Sequence, residues 1–169
     1  MPIPNQPYMY TDKSPEANEP VLIIDSSADI SCVRKGFRIL FYTGEITSLG
    51  VAFSSTEPHT FNIVTAAAVI NATRLSTPII IIINQAAYIP NDDQYESLLH
   101  NNQACHHNVI INDLACCYVN SHRCYGKQSI EIHGHIVRHD GLKCFLTIRE
   151  PTDFDWNHCH VVKLTSPLP

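Results

Sequence analysis

The chain is poor in charged residues. Only 16% of its 169 residues are Asp, Glu, Lys or Arg, whereas 44% are hydrophobic. This composition supplies ample material for a core and excludes a largely disordered body. Lysine and arginine are scattered and the net charge is -5, so we expect no surface that binds nucleic acid directly. The length predicts one domain.

Long apolar segments are missing as well. The longest aliphatic run covers residues 79–83, far below the roughly 20 residues that span a bilayer, and it predicts a buried strand. A charged start followed by an apolar segment, the mark of a secretory signal, is missing too. We therefore expect a cytoplasmic protein without a membrane partner. Residues 1–20 hold five prolines among polar residues, which predicts a flexible leader at 1–19, a domain at 20–166 and a tail at 167–169.

Cysteine patterns typical of disulfide frameworks and zinc sites are also lacking. The seven cysteines are an odd number, which fits poorly with a closed disulfide framework, so we expect free thiols. No Cys-x-x-Cys occurs, and Cys116 and Cys117 are adjacent and would point to opposite faces of a strand. A Cys/His zinc-binding module stays an alternative, and its best ligands are His133 and His135 with some of His122, Cys124, His158, Cys159 and His160. Our principal reading requires no metal or other cofactor.

The chain does contain short runs rich in β-branched and aromatic residues. These runs cover residues 21–24, 37–42, 46–53, 61–70 and 78–83, and the glycines, proline and polar stretch between them are typical of turns. The spacing favours an all-β sandwich or barrel. Helical periodicity occurs at about 94–104, where Tyr95, Leu98 and Leu99 share a face. A further short helical turn is predicted at Thr152, with Asp155 completing a capping box.

Two later segments alternate as half-buried strands do. In residues 130–137, Ile130, Ile132, Gly134 and Ile136 fall on one side, and Glu131, His133, His135 and Val137 fall on the other. Residues 143–149 alternate likewise, which places Cys144, Leu146 and Ile148 toward the core.

A carboxylate stands at the end of the first apolar run, in the sequence Asp25-Ser26-Ser27-Ala28-Asp29. An Asp at a strand end is commonly a turn residue that hydrogen-bonds its own backbone. Here the flanking residues favour a second interpretation. The motif closely resembles the catalytic turn of retropepsin-like aspartic proteases, and its non-glycine third residue resembles the DSxAD subgroup of copia-type retrotransposon polyproteins.

Further segments extend this resemblance to about residues 20–166. Residues 88–90, 97–104 and 108–109 are similar to the copia pattern Tyr-Val-Pro, Asn-Leu-Leu-Ser and Gln-Leu, and residues 149–152 and 159–166 are similar to the end of the same region. The resemblance implies an all-β, retropepsin-like closed β-barrel (the acid-protease fold) with one short helix and a C-terminal β elaboration.

The resemblance also implies an activity. In that family the first Asp activates water, which makes Asp25 the catalytic residue of an aspartic endopeptidase that cuts a retroelement polyprotein, within a virus-like particle in the cytoplasm. Two carboxylates must share one proton, yet the chain holds one such motif. A homodimer would supply Asp25 from each protomer across a two-fold axis.

The remaining motif residues receive roles by the same resemblance. Ser26 would hydrogen-bond across the dimer, Ala28 would leave room for substrate, and Asp29 would pair with an arginine or bind the substrate backbone. The flap would come from residues 44–55, where Gly44 and Gly50 allow a hairpin. Ser27 departs from the usual glycine by adding a Cβ and a hydroxyl, which keeps open a second alternative, a catalytically decayed or domesticated dimeric binding or structural module.

Overall fold

The computed structural model describes residues 18–50, 59–70, 78–90, 93–112, 129–132, 134–138 and 145–166. The predicted leader and tail therefore lie almost wholly outside the described residues. The elements are, in chain order, β1 (Val21–Asp25), β2 (Cys32–Val33), β3 (Arg38–Leu49), β4 (His59–Ile70), β5 (Ile79–Tyr88), β6 (Glu96–His100), α1 (Asn101–His106), β7 (Ile110–Asn112), β8 (Ser129–Ile132), β9 (His135–Arg138), β10 (Phe145–Arg149), α2 (Asp153–His158) and β11 (His160–Lys163). The prediction of a predominantly β protein is confirmed.

Eight strands form one sheet in the order β11-β5-β2-β6-β1-β10-β4-β3. Because β4 also pairs with β5, the pairings among β5, β2, β6, β1, β10 and β4 return to their starting strand. β3 and β11 each pair with one strand of this ring. The first strand, β1, lies between β6, to which it is parallel, and β10, to which it is antiparallel.

The isoleucine run predicted as a buried strand forms the start of β5, and this prediction is confirmed. Residues on one face of β4 and β5 belong to the main core: Val64, Ala66, Ala68, Ile70, Ile79, Ile81 and Ile83. On the other face Ala67, Val69 and Ile80 form a second cluster, against which Trp156 packs. Since α2 covers the outer face, the run is continuously apolar and does not alternate.

A smaller sheet of β7, β8 and β9 packs on the same core. Ile130, Ile132 and Val137 are buried and belong to the main hydrophobic cluster. The predicted C-terminal elaboration is thus correct only for this part of the chain. β10 lies inside the main sheet between β1 and β4, and β11 pairs with β5.

The prediction of a single strand at 130–137 is wrong. The chain turns back between β8 and β9, where Gly134 has φ 84°, and Ile130 faces Val137 across the hairpin. Val137 is therefore buried with Ile130 instead of lying on the opposite face. A glycine with positive φ permits this turn because it has no Cβ.

The prediction of a helix at about 94–104 places the start of the helix too early. Residues 96–100 form β6 between β1 and β2, with Ser97 and Leu99 fully buried, and α1 begins only at Asn101. The helical spacing of Tyr95, Leu98 and Leu99 was outweighed by pairing with two strands. The described residues contain two short helices, α1 and α2, and neither is long and apolar enough to cross a membrane.

Three local predictions are confirmed. Thr152 caps α2, and its hydroxyl and the carboxylate of Asp155 form the reciprocal bonds of a capping box. Gly36 makes the turn before β3 with φ +92°, and a Cβ there would lie 2.6 Å from the Cβ of Pro20. Leu146 and Ile148 of β10 are buried as predicted, whereas Cys144 lies outside the described residues.

Candidate active site at the end of the first strand

Asp25 is the last residue of β1, and this position follows from the strand's sequence. Val21 and Leu22 are buried and hold the strand in the core, whereas Asp25 is only partly buried. In the parallel pairing with β6, Asp25 is aligned with His100, the residue that precedes α1. The carboxylate therefore stands where two neighbouring parallel strands both end.

Ser27 turns its polar groups back onto this carboxylate. Its hydroxyl donates to Oδ1 of Asp25 at 2.6 Å, and its backbone N–H donates to the same oxygen at 2.8 Å. The hydroxyl bond, followed by the N–H bond, lowers the pKa of Asp25, and the backbone of Ala28 and the nearby His100 act in the same direction. These contacts favour the ionised carboxylate.

A groove of about 400 Å³ lies beside this turn. Its lining includes Asp29 and Ile30 from the turn, Glu45 from β3, His100 from the end of β6 and Gln103 from α1. Asp29 is exposed there. Among the described residues the arginine ion pairs join Arg38 to Asp153 and Arg149 to Asp155, so the predicted arginine partner of Asp29 remains a prediction for a second protomer or for residues outside the described ranges.

The other motif residues occupy the surface of the turn. Ser26 is exposed and Ala28 is partly buried, and the single chain leaves the cross-dimer role of Ser26 and the substrate role of Ala28 as predictions.

The segment predicted as a flap belongs in part to a long hairpin. β3 and β4 pair from Arg38 with Ala67 to Leu49 with His59, and residues 51–58 between them lie outside the described residues. Gly44 does not lie at the turn of this hairpin, and its role in a flap stays a prediction. It lies within β3 at an irregularity in the register, with φ 86°, because the pairing with β4 continues on both sides of it. Gly50 directly follows β3, where the hairpin connection begins.

One residue that lines the groove, Gln85, could not be identified from the sequence. Val64 pairs with Ala86 and Ala66 pairs with Ile83, so Thr65 alone faces Asn84 and Gln85. Gln85 has φ 57° at this bulge, and it is exposed and lines the groove. A positive φ is uncommon for a residue with a side chain, and such residues cluster at functional sites. Only a glycine or asparagine would have marked the position in the sequence.

The zinc alternative gains no support from the described residues, which contain no group of three or more possible metal ligands. His122, Cys124 and His133 lie outside those residues, as does the side chain of His135. Nδ1 of His158 lies 2.8 Å from the carbonyl oxygen of Phe154 in its own helix. The described cysteines, Cys32, Cys105 and Cys159, are free thiols as expected.

Comparison of the chain with protein-family models, curated proteins and solved structures found no match. The functional argument therefore rests on the geometry around Asp25 and on the motif resemblance.

Proposed function

We propose that the protein is a retropepsin-like aspartic endopeptidase that processes a retroelement polyprotein. In this proposal a homodimer brings Asp25 of each protomer together, and the pair activates water for attack on the peptide bond. One carboxylate is ionised and acts as the base, while the other is protonated and donates to the carbonyl oxygen. No cofactor takes part.

The observation that carries the proposal is the setting of Asp25. It ends a strand whose first two residues are buried, Ser27 hydrogen-bonds the carboxylate, and it lies beside the end of a parallel strand. Bonds that favour the ionised form supply the base that the reaction needs at acid pH.

Two further features support the proposal, one in the surface beside the turn and one in the fold. The groove beside the turn is lined in part by Glu45 of β3, and the apolar side chains Leu40, Phe41, Tyr42 and Ile46 of the same strand are exposed. Extended peptides are bound by strand edges and by apolar surfaces of this kind. The ring of strand pairings around the main core is also compatible with the closed barrel that the resemblance implies.

The test is cleavage of a peptide library by the wild-type protein and by Asp25→Asn. We expect the wild type to cleave at mildly acidic pH and the variant to retain its fold and dimer with at least about a hundredfold lower kcat/KM, because an amide cannot act as the base. Asp153→Asn is the matched control, since Asp153 is 98% exposed on α2, and it should cleave as the wild type does.

The outcomes separate the candidate functions. Cleavage by Asp25→Asn near the wild-type rate would end the aspartic-protease proposal. A dimeric wild type that cleaves no peptide would favour the decayed or domesticated module, for which the Ser27 substitution is the supporting observation. Stoichiometric zinc in the purified protein, with loss of stability on chelation, would favour the zinc-binding module.

A further inference from the structure

A chain of polar groups connects the C-terminal segment to the strand end beside Asp25. The hydroxyl of Ser31, which is fully buried, accepts from the backbone N–H of His100 at 3.1 Å and donates to Oε1 of Gln103 at 2.8 Å. Nε2 of Gln103 in turn donates to the backbone carbonyl of Asn84 at 3.4 Å. Three elements distant in sequence are thus joined through side chains.

Asn84 ties this chain to the C-terminal segment. The hydroxyl of Thr165 accepts from the Asn84 N–H at 2.9 Å and donates to the Asn84 carbonyl at 3.0 Å. The Asn84 side chain donates to the carbonyl of Ser166 and accepts from the hydroxyl of Thr65 at 3.0 Å. Asn84 and Thr165 are each only 2% exposed, so removal of the Thr165 hydroxyl leaves the buried Asn84 N–H without this partner.

The orientation of Gln103 is determined by its neighbours. Its amide must present N–H to the Asn84 carbonyl, because the reverse orientation would place two oxygens against each other. Its oxygen then faces Ser31, whose hydroxyl hydrogen is available because the hydroxyl oxygen already accepts from His100. The hydrogen bonds of the polar chain therefore have a single arrangement: the His100 N–H donates to Ser31, Ser31 donates to Gln103, and Gln103 donates to the Asn84 carbonyl.

Resting on the proposed protease function, we propose that this polar chain positions the catalytic turn, with Gln103 and Ser31 as positioning residues and Thr165 as their anchor. Holding the His100 N–H fixes the end of β6, with which Asp25 is aligned. The C-terminal segment thus controls the alignment of Asp25 from the opposite end of the polar chain, without contact with the substrate.

The experiment compares Gln103→Glu with the wild type by amide hydrogen exchange at His100. An ionised Glu has no hydrogen to donate to the Asn84 carbonyl, so this hydrogen bond of the polar chain is lost. A protonated Glu can still donate to that carbonyl. We expect His100 protection in Gln103→Glu to match the wild type at about pH 4 and to fall about tenfold below it at about pH 7. The other ionisable groups that line the same groove, Asp29, Glu45 and His100, are present in both proteins.

Asn102→Asp is the matched control, because Asn102 is exposed on the same helix and the change from amide to acid is the same. It should leave His100 protection unchanged at both pH values. Thr165→Val should lower the protection at both pH values, and Thr165→Ser, which retains the hydroxyl, should restore it. Equal protection at pH 7 in Gln103→Glu, Asn102→Asp and the wild type would overturn the proposal.

A kinetic measurement tests the catalytic consequence. Thr165→Val should lower kcat about tenfold with little change in KM, since misalignment affects the transition state more than binding. If Thr165→Val lowers the protection of the His100 amide but leaves kcat unchanged, the positioning role is wrong. If the wild type cleaves no peptide, the proposed function fails while the exchange result still decides whether the polar chain holds the strand end.

Discussion

Ser27 is the residue at which the structure adds most to the sequence. The motif that the sequence resembles usually has glycine at this position, and the added Cβ and hydroxyl of serine are the reason why a catalytically decayed module is an alternative. In the structure its hydroxyl and N–H both bind the Asp25 carboxylate within the same turn. This gives the hydroxyl a chemical role, which is to lower the pKa of Asp25.

Ser27→Ala is therefore expected to raise the pKa of Asp25, because it removes the largest contribution that lowers it. The base must be ionised for catalysis, so the acidic limb of the pH–rate profile should move to higher pH, and the rate at the lowest pH values should fall. Profiles of kcat/KM against pH check this. Ser27→Thr, which retains the hydroxyl, is the control, and identical acidic limbs for all three proteins would contradict the assigned role.

Among the secondary-structure elements, α2 is stabilised by one carboxylate with several partners. Asp155 accepts from both terminal nitrogens of Arg149, at 2.6 and 2.7 Å, and from the backbone N–H and hydroxyl of Thr152, both at 2.7 Å. Arg149, then Thr152, holds the pKa of Asp155 well below its usual range. Since Arg149 ends β10, these bonds join the helix to the main sheet.

Asp155→Asn should lower the free energy of unfolding at neutral pH by about 1–3 kcal/mol, given that Arg149 is partly exposed to solvent. The pKa of Asp155 is depressed in the folded state, so its stabilisation is present above the unfolded pKa of about 4 and is lost as pH falls toward the folded value. Urea unfolding at about pH 7 and about pH 3 should show a larger difference from wild type at pH 7.

Asp153→Asn tests the specificity of that effect, because Asp153 lies in the same helical turn with its side chain 98% exposed. It should change the free energy of unfolding by less than about 0.5 kcal/mol. A difference for Asp155→Asn that is the same at both pH values would show that the ionised carboxylate is not the stabilising form.

At the scale of the whole molecule, the proposed peptide cleavage should depend on the association of two protomers into a homodimer. A single protomer carries one Asp25 motif and hence half of the proposed dyad, so specific activity should fall on dilution below the dimer dissociation constant. Sedimentation and cleavage rates across the same dilution series check this. A constant specific activity in a range where the protein is monomeric would refute the shared dyad.

Mixing with Asp25→Asn protomers provides the matched control for dimer dependence. If protomers exchange, an equal amount of the variant should remove about half of the activity per wild-type protomer, because each mixed dimer lacks one catalytic carboxylate. An equal amount of Asp153→Asn should not reduce it.

The sequence by itself determined the features that depend on neighbouring residues. The apolar run ending in Asp25, the capping box at Thr152 and Asp155, and the turn at Gly36 all follow from local propensity and steric limits. The residue types of the motif also identified the candidate carboxylate without any knowledge of the fold.

Only the tertiary structure decided the features that depend on long-range pairing. Residues 96–100 form a strand because β1 and β2 flank them, the bulge at Gln85 exists because Thr65 faces two residues, and Ser31 meets Gln103 across 72 positions of sequence. Hydrogen bonds across the sheet outweigh a local helical preference. Which distant groups meet is decided by strand order and register, and no local pattern encodes either.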